Sequence, residues 1–329
     1  MKKQLITVVL LVLALSLFWQ CAKEKPEGLT KQMTQEIALL PADAAGVGFV
    51  NLAQIRKSEF YSMLSDSGRH NPFVNPEYKD FVNATGLDLR RDINEIYFSM
   101  MPDTMAETPE LLAVILGKYN VKEITNYIAQ KDTTNQIGEE QYKDYNLYTV
   151  RHGNMVFSFA DDTHLVGGTE TLVKKWLDEY SSSDKPVNVA PEMTKRINLL
   201  RYKTGVWFTL DAQQFVNKFT EKLHSASSRM NLDALDAVKS VNFSMQFSNE
   251  MKFSGMSDFE NEQKAKLFRE AVKGFIATAK LTLSNDRDAI DVLNKIKVNE
   301  KGKELEMNFS MTKQDLEKLQ QHRKQFVMN

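Results

Sequence analysis

The body of the chain alternates between apolar and polar positions in a way that predicts β-strands. Residues 93–101 and 111–117 are two apolar strand-like runs, and residues 145–151, 154–160 and 164–167 predict an antiparallel meander. Runs of strands with helices set to one side favour an α+β fold over a parallel doubly wound sheet.

Helical periodicity predicts amphipathic helices between these runs. They cover residues 76–84, 121–130, 170–180, 261–279 and 287–296. The helix at 261–279 carries an apolar stripe that we interpret as core packing, formed by Ala265, Phe268, Val272, Phe275 and Ile276.

The order of the predicted elements starts again after a polar break in the middle of the chain. Residues 45–51 and 204–211 both contain Gly-Val-x-Phe and lead into Ala-Gln. We therefore expect two related halves, 37–185 and 186–329, each an antiparallel sheet with helices packed on one face. The second half is expected to lack one strand of the meander. A chance match of short motifs is the alternative.

The amino terminus has the pattern of an export signal. Lys2 and Lys3 precede an apolar run at residues 5–19. This run is shorter than the roughly 20 apolar residues of a spanning helix, but it has the length of a signal-peptide core. The single cysteine of the chain, Cys21, follows two positions after it. We therefore expect residues 1–20 to be a signal peptide.

Residues 17–21, Leu-Phe-Trp-Gln-Cys, resemble the lipobox of bacterial lipoproteins. The resemblance implies that the Cys21 thiol receives a diacylglyceryl group and that cleavage makes Cys21 the first residue of the mature protein. Phe18 and Gln20 depart from the aliphatic and small residues that are usual at their positions. An uncleaved amino-terminal anchor and full release after cleavage therefore stay open as alternatives.

Residues 21–36 are expected to be the lipidated cysteine followed by a tether, because their polar composition cannot bury enough apolar surface to fold alone. Ala22 follows the cysteine where an aspartate would suggest retention in an inner membrane. In a cell with two membranes this favours the outer membrane, with the protein facing the periplasm. A membrane, reached through lipid on Cys21, is the first expected partner.

Composition excludes several other classes of function. The 42 Lys and Arg residues balance 43 Asp and Glu residues, so the formal net charge of the chain is −1. Acidic and basic residues are mixed along the sequence, whereas nucleic-acid binding needs a concentrated basic face. No nucleic-acid partner is expected. Because Cys21 is the only cysteine, disulfides and thiolate sites are excluded from the rest of the chain.

The residue types that most often carry catalysis or bind metals are scattered. The five histidines, none with the spacing of a metal motif, are His70, His152, His164, His224 and His322. His152 and His164 flank the predicted meander and are interpreted as solvent-exposed turn residues. No P-loop, dinucleotide fingerprint or nucleophile elbow is present. We therefore expect no catalytic residue, metal site or cofactor.

Methionines cluster at corresponding places in the two halves, at Met100, Met101 and Met105 and again at Met245, Met251 and Met256. Methionine adapts to irregular apolar surroundings and is common on surfaces that bind varied partners. Alternation places Phe243, Met245 and Phe247 on one face of a strand. We interpret these residues as core filling, with a ligand groove as the alternative.

The layout, with an opening Leu-Pro-Ala-Asp-Ala at residues 40–44, resembles uncharacterised bacterial envelope proteins with tandem α+β repeats. This resemblance implies no known activity. Our first hypothesis is a noncatalytic envelope lipoprotein that acts as a binding or scaffold module for a protein or an apolar ligand held between the halves. The alternative is a hydrolase-like enzyme whose site has no recognisable sequence motif, since catalytic triads are defined by geometry.

Overall fold

Twelve β-strands form one antiparallel sheet in the computed structural model, which describes residues 26–61, 73, 75–102, 109–131, 137–150, 155–214, 237–284 and 286–319. The strands are β1 (Gly46–Asn51), β2 (Ile93–Met101), β3 (Glu110–Gly117), β4 (Ile137–Tyr142), β5 (Tyr145–Val150), β6 (Met155–Phe159), β7 (His164–Thr169), β8 (Val206–Asp211), β9 (Val238–Phe247), β10 (Glu250–Phe259), β11 (Lys297–Lys301) and β12 (Glu304–Thr312).

Helices connect and cover these strands. With complete bounds in the described part of the chain they are α1 (Lys31–Ala38), α2 (Leu52–Lys57), α3 (Pro76–Thr85), α4 (Leu89–Asp92), α5 (Val121–Lys131), α6 (Glu170–Ser181), α7 (Pro191–Asn198), α8 (Glu262–Thr282) and α9 (Arg287–Asn294). The predicted α+β class is confirmed: the sheet is antiparallel throughout, and the helices lie outside it.

The strand order is β11-β12-β10-β9-β8-β1-β2-β3-β7-β6-β5-β4, so β1 and β8 are neighbours at the centre. Reading outward from this pair, each half has three consecutive strands and then a group of strands that returns after a helical connection. The first half contributes seven strands and the second contributes five. Common descent of the two halves from one repeat stays a prediction.

The described residues do not fit the expected difference of one strand between the halves, because among them the second half has two strands fewer. The strand that sequence analysis missed is β4, which forms one edge of the sheet. Three of its six residues, Glu139, Glu140 and Gln141, are exposed. An edge strand with so many charged and exposed positions lacks the apolar alternation by which strands are recognised.

The main core lies between one face of the sheet and helices α1, α6 and α7. On this face Phe49 of β1 contacts Tyr97 of β2 and Trp207 of β8, with ring centroids 4.8 and 6.0 Å apart. All three side chains are fully buried. Because β1 and β8 belong to different halves, this aromatic contact packs the two halves together.

Helix α1 corrects the expectation that residues 21–36 are a tether throughout. Thr30 caps the helix by accepting a hydrogen bond from the Met33 amide at 3.1 Å. Met33 and Ile37, four residues apart on one side of the helix, are buried in the main core. Leu39 and Leu40, directly after the helix, are buried in the same core, so a few well-placed apolar side chains dock a segment of otherwise polar composition.

Helices cover both faces of the first half, whereas the sequence predicted one covered face. Val114 and Val166 pack in the main core, while their chain neighbours Ile115 and Leu165 pack on the opposite face with Ile124 of α5. Successive residues of a strand point to opposite faces. The sheet of the first half is therefore sandwiched between two helical layers.

Several helix predictions are confirmed to within two residues, including α3, α5 and α6. Helix α3 ends at Gly86, whose φ of 73° lies in the left-handed region that favours glycine. Thr169 directly precedes α6, but its side chain makes no capping hydrogen bond. Its hydroxyl instead donates to the Leu111 carbonyl at 3.2 Å and so links β7 to β3.

Gly48 of β1 supports a first prediction, because the Phe98 ring lies across it. A Cβ atom at position 48 would lie 2.1 Å from Cζ of Phe98. We expect Gly48→Ala to lower the free energy of unfolding by about 1–3 kcal/mol through overpacking. Gly138→Ala is the matched control, since its Cβ would meet nothing nearer than 3.8 Å. Urea unfolding of both variants measures the difference in their free energies of unfolding. Equal stabilities would contradict the close contact between Gly48 and the Phe98 ring.

Candidate functional site

Cys21, the predicted lipid attachment site, lies outside the described residues, and its modification stays a prediction. The structure does show what happens to the chain shortly after it. Six positions after Cys21, Glu27 is bound into the body of the protein. We call the contacts of Glu27 with Lys203, Thr204 and Gln246 the Glu27 junction.

The Glu27 carboxylate accepts hydrogen bonds from three groups that lie just before β8. These are the amides of Lys203 and Thr204, at 2.9 and 3.0 Å, and the Thr204 hydroxyl at 2.7 Å. Its other oxygen accepts from the side-chain amide of Gln246 on β9. A carboxylate that accepts several such bonds is held more strongly than by neutral contacts alone. The junction therefore fixes this segment to the second half.

The side chain of Lys203 adds a further contact to the Glu27 junction. Its ammonium group donates to the carbonyl oxygens of Glu27 and Leu200 at 2.7 and 2.8 Å, and the residue is only 4% exposed. Burial lowers the pKa of Lys203, and the nearby Glu27 carboxylate partly offsets that effect. Sequence analysis missed Glu27 and Lys203, because neither lies in a motif and both are ordinary surface residue types.

A second polar cluster surrounds the one histidine in the described part of the chain. The His164 cluster consists of His164, Glu36, Asp161, Thr163 and Tyr180. Nδ1 of His164 lies 3.0 Å from Asp161 Oδ1 and 2.8 Å from the Thr163 hydroxyl, and Nε2 lies 3.5 Å from Glu36 Oε1. The Tyr180 hydroxyl donates to the other Asp161 oxygen at 2.5 Å.

These contacts shift the ionisation of the cluster. Burial alone would lower the pKa of His164, but hydrogen bonds with Glu36 and Asp161 outweigh burial and raise it. Burial opposes ionisation of Asp161, yet hydrogen bonds from Tyr180, Thr163 and His164 hold its pKa well below the ordinary range. Burial and the Asp161 carboxylate together raise the pKa of Tyr180. A protonated imidazole between two carboxylates is thereby favoured.

The His164 cluster joins three separate elements. Glu36 belongs to α1, Asp161 to the turn before β7, and Tyr180 to α6, where its ring stacks on Trp176 at 4.8 Å. The interpretation of His164 as a solvent-exposed turn residue is wrong, since only 14% of its side chain is exposed. His152, which was also interpreted as a solvent-exposed turn residue, lies outside the described residues together with His70, His224 and His322.

The opposite face of the sheet carries a row of phenylalanine rings that crosses from one half to the other. Phe98 and Phe208 stack with centroids 5.8 Å apart, Phe208 and Phe243 are 6.0 Å apart, and Phe243 and Phe253 are 6.2 Å apart. All four side chains are half-buried. We call these four residues the aromatic row.

The methionines predicted to fill the core divide between the two faces. Met101 packs against the main core, as the core interpretation requires. Met100 and Met245 are half-buried on the face of the aromatic row, where Met245 lies opposite Phe253 in the ladder. Met256 lies on the other face, and Met105 is outside the described residues.

Helix α8 departs most from its predicted role. Ala265 is buried and Phe268, Val272 and Ile276 are half-buried, which fits core packing. Phe275, predicted to be in the same stripe, is 76% exposed, so that part of the prediction is wrong. Its angular position lies at the edge of the stripe, where the helix turns away from the sheet.

Two surface clefts adjoin these features. One of about 510 Å³ lies between the turn at Gly86 and residues 118–120, and a smaller one of about 190 Å³ lies beside Trp176 and Leu112. Neither is lined by His164. In the described ranges no three His, Cys, Asp or Glu side chains are arranged to hold a metal ion. Among the described helices, none combines the length and apolar composition needed to cross a bilayer.

Comparison with known proteins does not show a family for this chain. No protein-family model and no curated protein sequence matches the chain. A solved structure described as crystal form I of TP0453 aligns with a TM-score of 0.45 and 11% sequence identity. The alignment covers 89% of this chain and 97% of that one. This similarity is too low to carry a functional argument.

The His164 cluster predicts a pH-dependent contribution to stability. Because the folded pKa of His164 is raised, its contribution is present below the ordinary value of about 6.5 and is lost as pH rises through the folded pKa. The contribution of Asp161, whose pKa is lowered, disappears only in strong acid. We therefore expect His164→Gln to destabilise the protein more at about pH 5.5 than at about pH 8.5.

Urea unfolding at the two pH values measures this difference. Lys143→Gln is the matched control, because it removes an exposed ion pair with Asp178 whose charges do not change in this range. Its effect is expected to be small and equal at both pH values. A His164→Gln effect that is also equal at both values would show that folding leaves the pKa of His164 unchanged, and a smaller effect at pH 5.5 would show that the imidazole is neutral in the folded protein.

Proposed function

We propose that this protein is a noncatalytic binding or scaffold module held at the bacterial envelope by lipid on Cys21. Its partner is a protein or an apolar ligand, and in a cell with two membranes it faces the periplasm from the outer membrane. The anchor part of the proposal rests on the charged and apolar pattern of residues 1–20 and on the lipobox-like residues 17–21.

The aromatic row is the observation that carries the binding part of the proposal. Four half-buried phenylalanine rings in line leave apolar ring surface accessible on the outer face of a sheet. Burial of apolar area is the main source of affinity for apolar ligands, at roughly 25 cal/mol per Å². Met100 and Met245 beside the row supply adaptable contacts.

The aromatic row is also the proposed place for a ligand that contacts both halves. The two halves are joined by a paired strand ladder, so no open groove separates β1 from β8. Phe98 belongs to the first half, whereas Phe208, Phe243 and Phe253 belong to the second. A ligand lying along the row would contact both halves on the surface of the sheet.

Anchoring makes weak binding sufficient. Each buried methylene of an acyl chain contributes about 0.8 kcal/mol to membrane attachment, so two or three chains on Cys21 would hold the protein permanently. A tethered module then meets other anchored components at a raised effective concentration. Modest contacts along the aromatic row can therefore give stable association at the membrane surface.

A hydrolase-like enzyme is the second candidate, and the His164 cluster is the observation that favours it. The order of Thr163 hydroxyl, His164 imidazole and Glu36 carboxylate is that of a nucleophile, base and orienting acid. However, the same hydroxyl lies 2.7 Å from Asp161, and neither cleft described above contains Thr163. The cluster is explained more simply as a set of contacts that holds α1, α6 and the turn before β7 together.

Native mass spectrometry of the mature protein, purified gently from membranes, tests the binding function. We expect an added mass that disappears after solvent extraction and that is lost in Phe243→Ser, because this change removes a central ring of the row. Phe275→Ser is the matched control: it removes an exposed phenylalanine elsewhere and should keep the added mass. An unliganded wild type, with no partner captured by crosslinking in intact cells, would contradict the proposal.

The anchor is tested separately by metabolic labelling with palmitate. Wild type should incorporate the label and remain with membranes, whereas Cys21→Ala should do neither, since the thiol is the only acceptor in the chain. Retention of Cys21→Ala in the membrane fraction would instead support an uncleaved amino-terminal anchor. Hydrolysis of generic ester substrates that is abolished by both Thr163→Val and His164→Gln would favour the enzyme.

A further inference from the structure

We infer that the end of the sheet at which Glu27 docks faces the membrane, and that the exposed apolar side chains near the C-terminal end of helix α8 reach the lipid headgroups there. The inference rests on lipid attachment at Cys21 and adds to it a definite orientation and a second contact with the membrane. It concerns an interaction surface whose partner is an anionic lipid surface.

The first step is the short length of chain between the lipid on Cys21 and the first residue fixed to the fold, Glu27. The chain advances only six residues from Cys21 to Glu27, and a fully extended segment of that length spans at most about 22 Å. Glu27 is fixed at the Glu27 junction by its hydrogen bonds to Lys203, Thr204 and Gln246. Lipid in the bilayer therefore keeps the junction close to the membrane surface.

The second step is the place of the junction in the sheet. Thr204 precedes β8, and Gln246 is the next-to-last residue of β9. Asn51, the last residue of β1, donates its side-chain amide to the Thr204 carbonyl at 3.1 Å. We call this the anchor end, where β1, β9 and β12 finish and β8 and β10 begin. The opposite end carries Phe259 and the hairpin at Gly302.

The third step is the course of helix α8. It begins next to the opposite end, directly after β10, and its 21 residues are about 31 Å long, close to the roughly 33 Å of the ten-residue strand β10. Its far end leads into α9, where Asp288 pairs with Lys318 at 2.9 Å and Lys295 pairs with Asp315 at 2.5 Å. These partners follow Thr312, the anchor-end residue of β12, so α8 runs toward the anchor end.

The fourth step is the exposed surface of the helix. Leu267, Phe275 and Leu281 are 54%, 76% and 76% exposed, and Ala271 and Thr278 lie between them on the same side. At 100° per residue these positions fall within an arc of about 120° that contains no charge beyond the first turn. Isolated exposed leucines are ordinary, whereas a stripe that includes a phenylalanine along four turns marks an interaction surface.

The fifth step is charge, which selects a lipid surface as the occupant. Helix α8 contains five basic and two acidic side chains, a formal charge of +3 in a chain whose formal charge is −1. Lys266, Lys273 and Lys280 recur every seventh residue and form a basic line along the helix, with Glu270 between this line and the apolar stripe. Exposed apolar side chains on a helix of net positive charge favour the boundary of an anionic membrane, because the acyl region attracts the apolar side chains and the headgroups attract the basic ones.

Orientation is tested with single cysteines, because the mature protein has no free thiol once Cys21 is lipidated. Ser284→Cys, at the far end of α8, and Lys303→Cys, in the opposite hairpin, are both exposed sites for an environment-sensitive fluorophore. The lipidated proteins are placed in vesicles of phosphatidylglycerol and phosphatidylethanolamine that carry quenchers on their headgroups. We expect the label at 284 to be quenched several-fold more than the label at 303. Equal or reversed quenching would overturn the orientation.

The apolar stripe is tested without the lipid, using residues 22–329 and the same vesicles in a flotation assay. Phe275→Ser combined with Leu281→Ser is expected to weaken binding at least roughly tenfold, since two apolar side chains no longer leave water. Val187→Ser is the control, since it removes an apolar side chain that is 74% exposed but lies outside α8, and it should bind as wild type does. Binding should also fall in vesicles of phosphatidylcholine alone. Unchanged vesicle binding by the double variant, or no binding by wild type, would overturn the role of α8.

The two assays separate this inference from the proposed function. Mass spectrometry of the mature protein shows whether Cys21 carries lipid, and its absence would defeat the anchor while leaving the flotation result intact. Normal lipidation with equal quenching at both labels would defeat the orientation and leave the anchor standing. Loss of a crosslinked protein partner in the double variant, with vesicle binding unchanged, would assign the stripe to that protein and count against the membrane.

Discussion

The pairing of β1 with β8 is the contact on which the rest of the structure depends. Five residue pairs, from Gly46 with Leu210 to Val50 with Val206, turn two groups of strands into one sheet. On one face Phe49 packs against Trp207, and on the other the rings of Phe98 and Phe208 meet above Gly48. Without this ladder each half would expose an unpaired central strand, which is a site for aggregation.

The same central pair organises the surroundings of the amino-terminal segment. Asn51 at the end of β1 and Glu27 both bind Thr204 just before β8. Helix α1, which follows Glu27 closely, packs Met33 and Ile37 into the core beneath β1 and reaches His164 through Glu36. Tension on an anchor at Cys21 would therefore be borne by the middle of the sheet and by buried contacts, and not by a frayed terminus.

The sequence predicts a helix or strand well where the residues of that element alone determine its structure. Strands β2 and β3 and helix α5 have clear periodicity, and their prediction was confirmed because local pattern and tertiary burial agree. For the residues of helix α1 the sequence predicts a tether, since within the helix only Met33 and Ile37 distinguish it from a solvated segment. Glu27 and Glu36 could not be found as site residues, because their partners lie more than 100 positions away along the chain.

The two proposed surfaces lie next to each other, and this has a physical consequence. Val241 packs with the cluster beneath α8 that contains Ala265, and Phe243, two residues further along β9, lies on the same face of the sheet. Contact of the C-terminal end of α8 with the headgroups would therefore bring the aromatic row close to the membrane. An apolar ligand could then pass between bilayer and row with little exposure to water. A protein partner on the row would need to be membrane-associated as well, because the approach from that side is limited by the lipid surface.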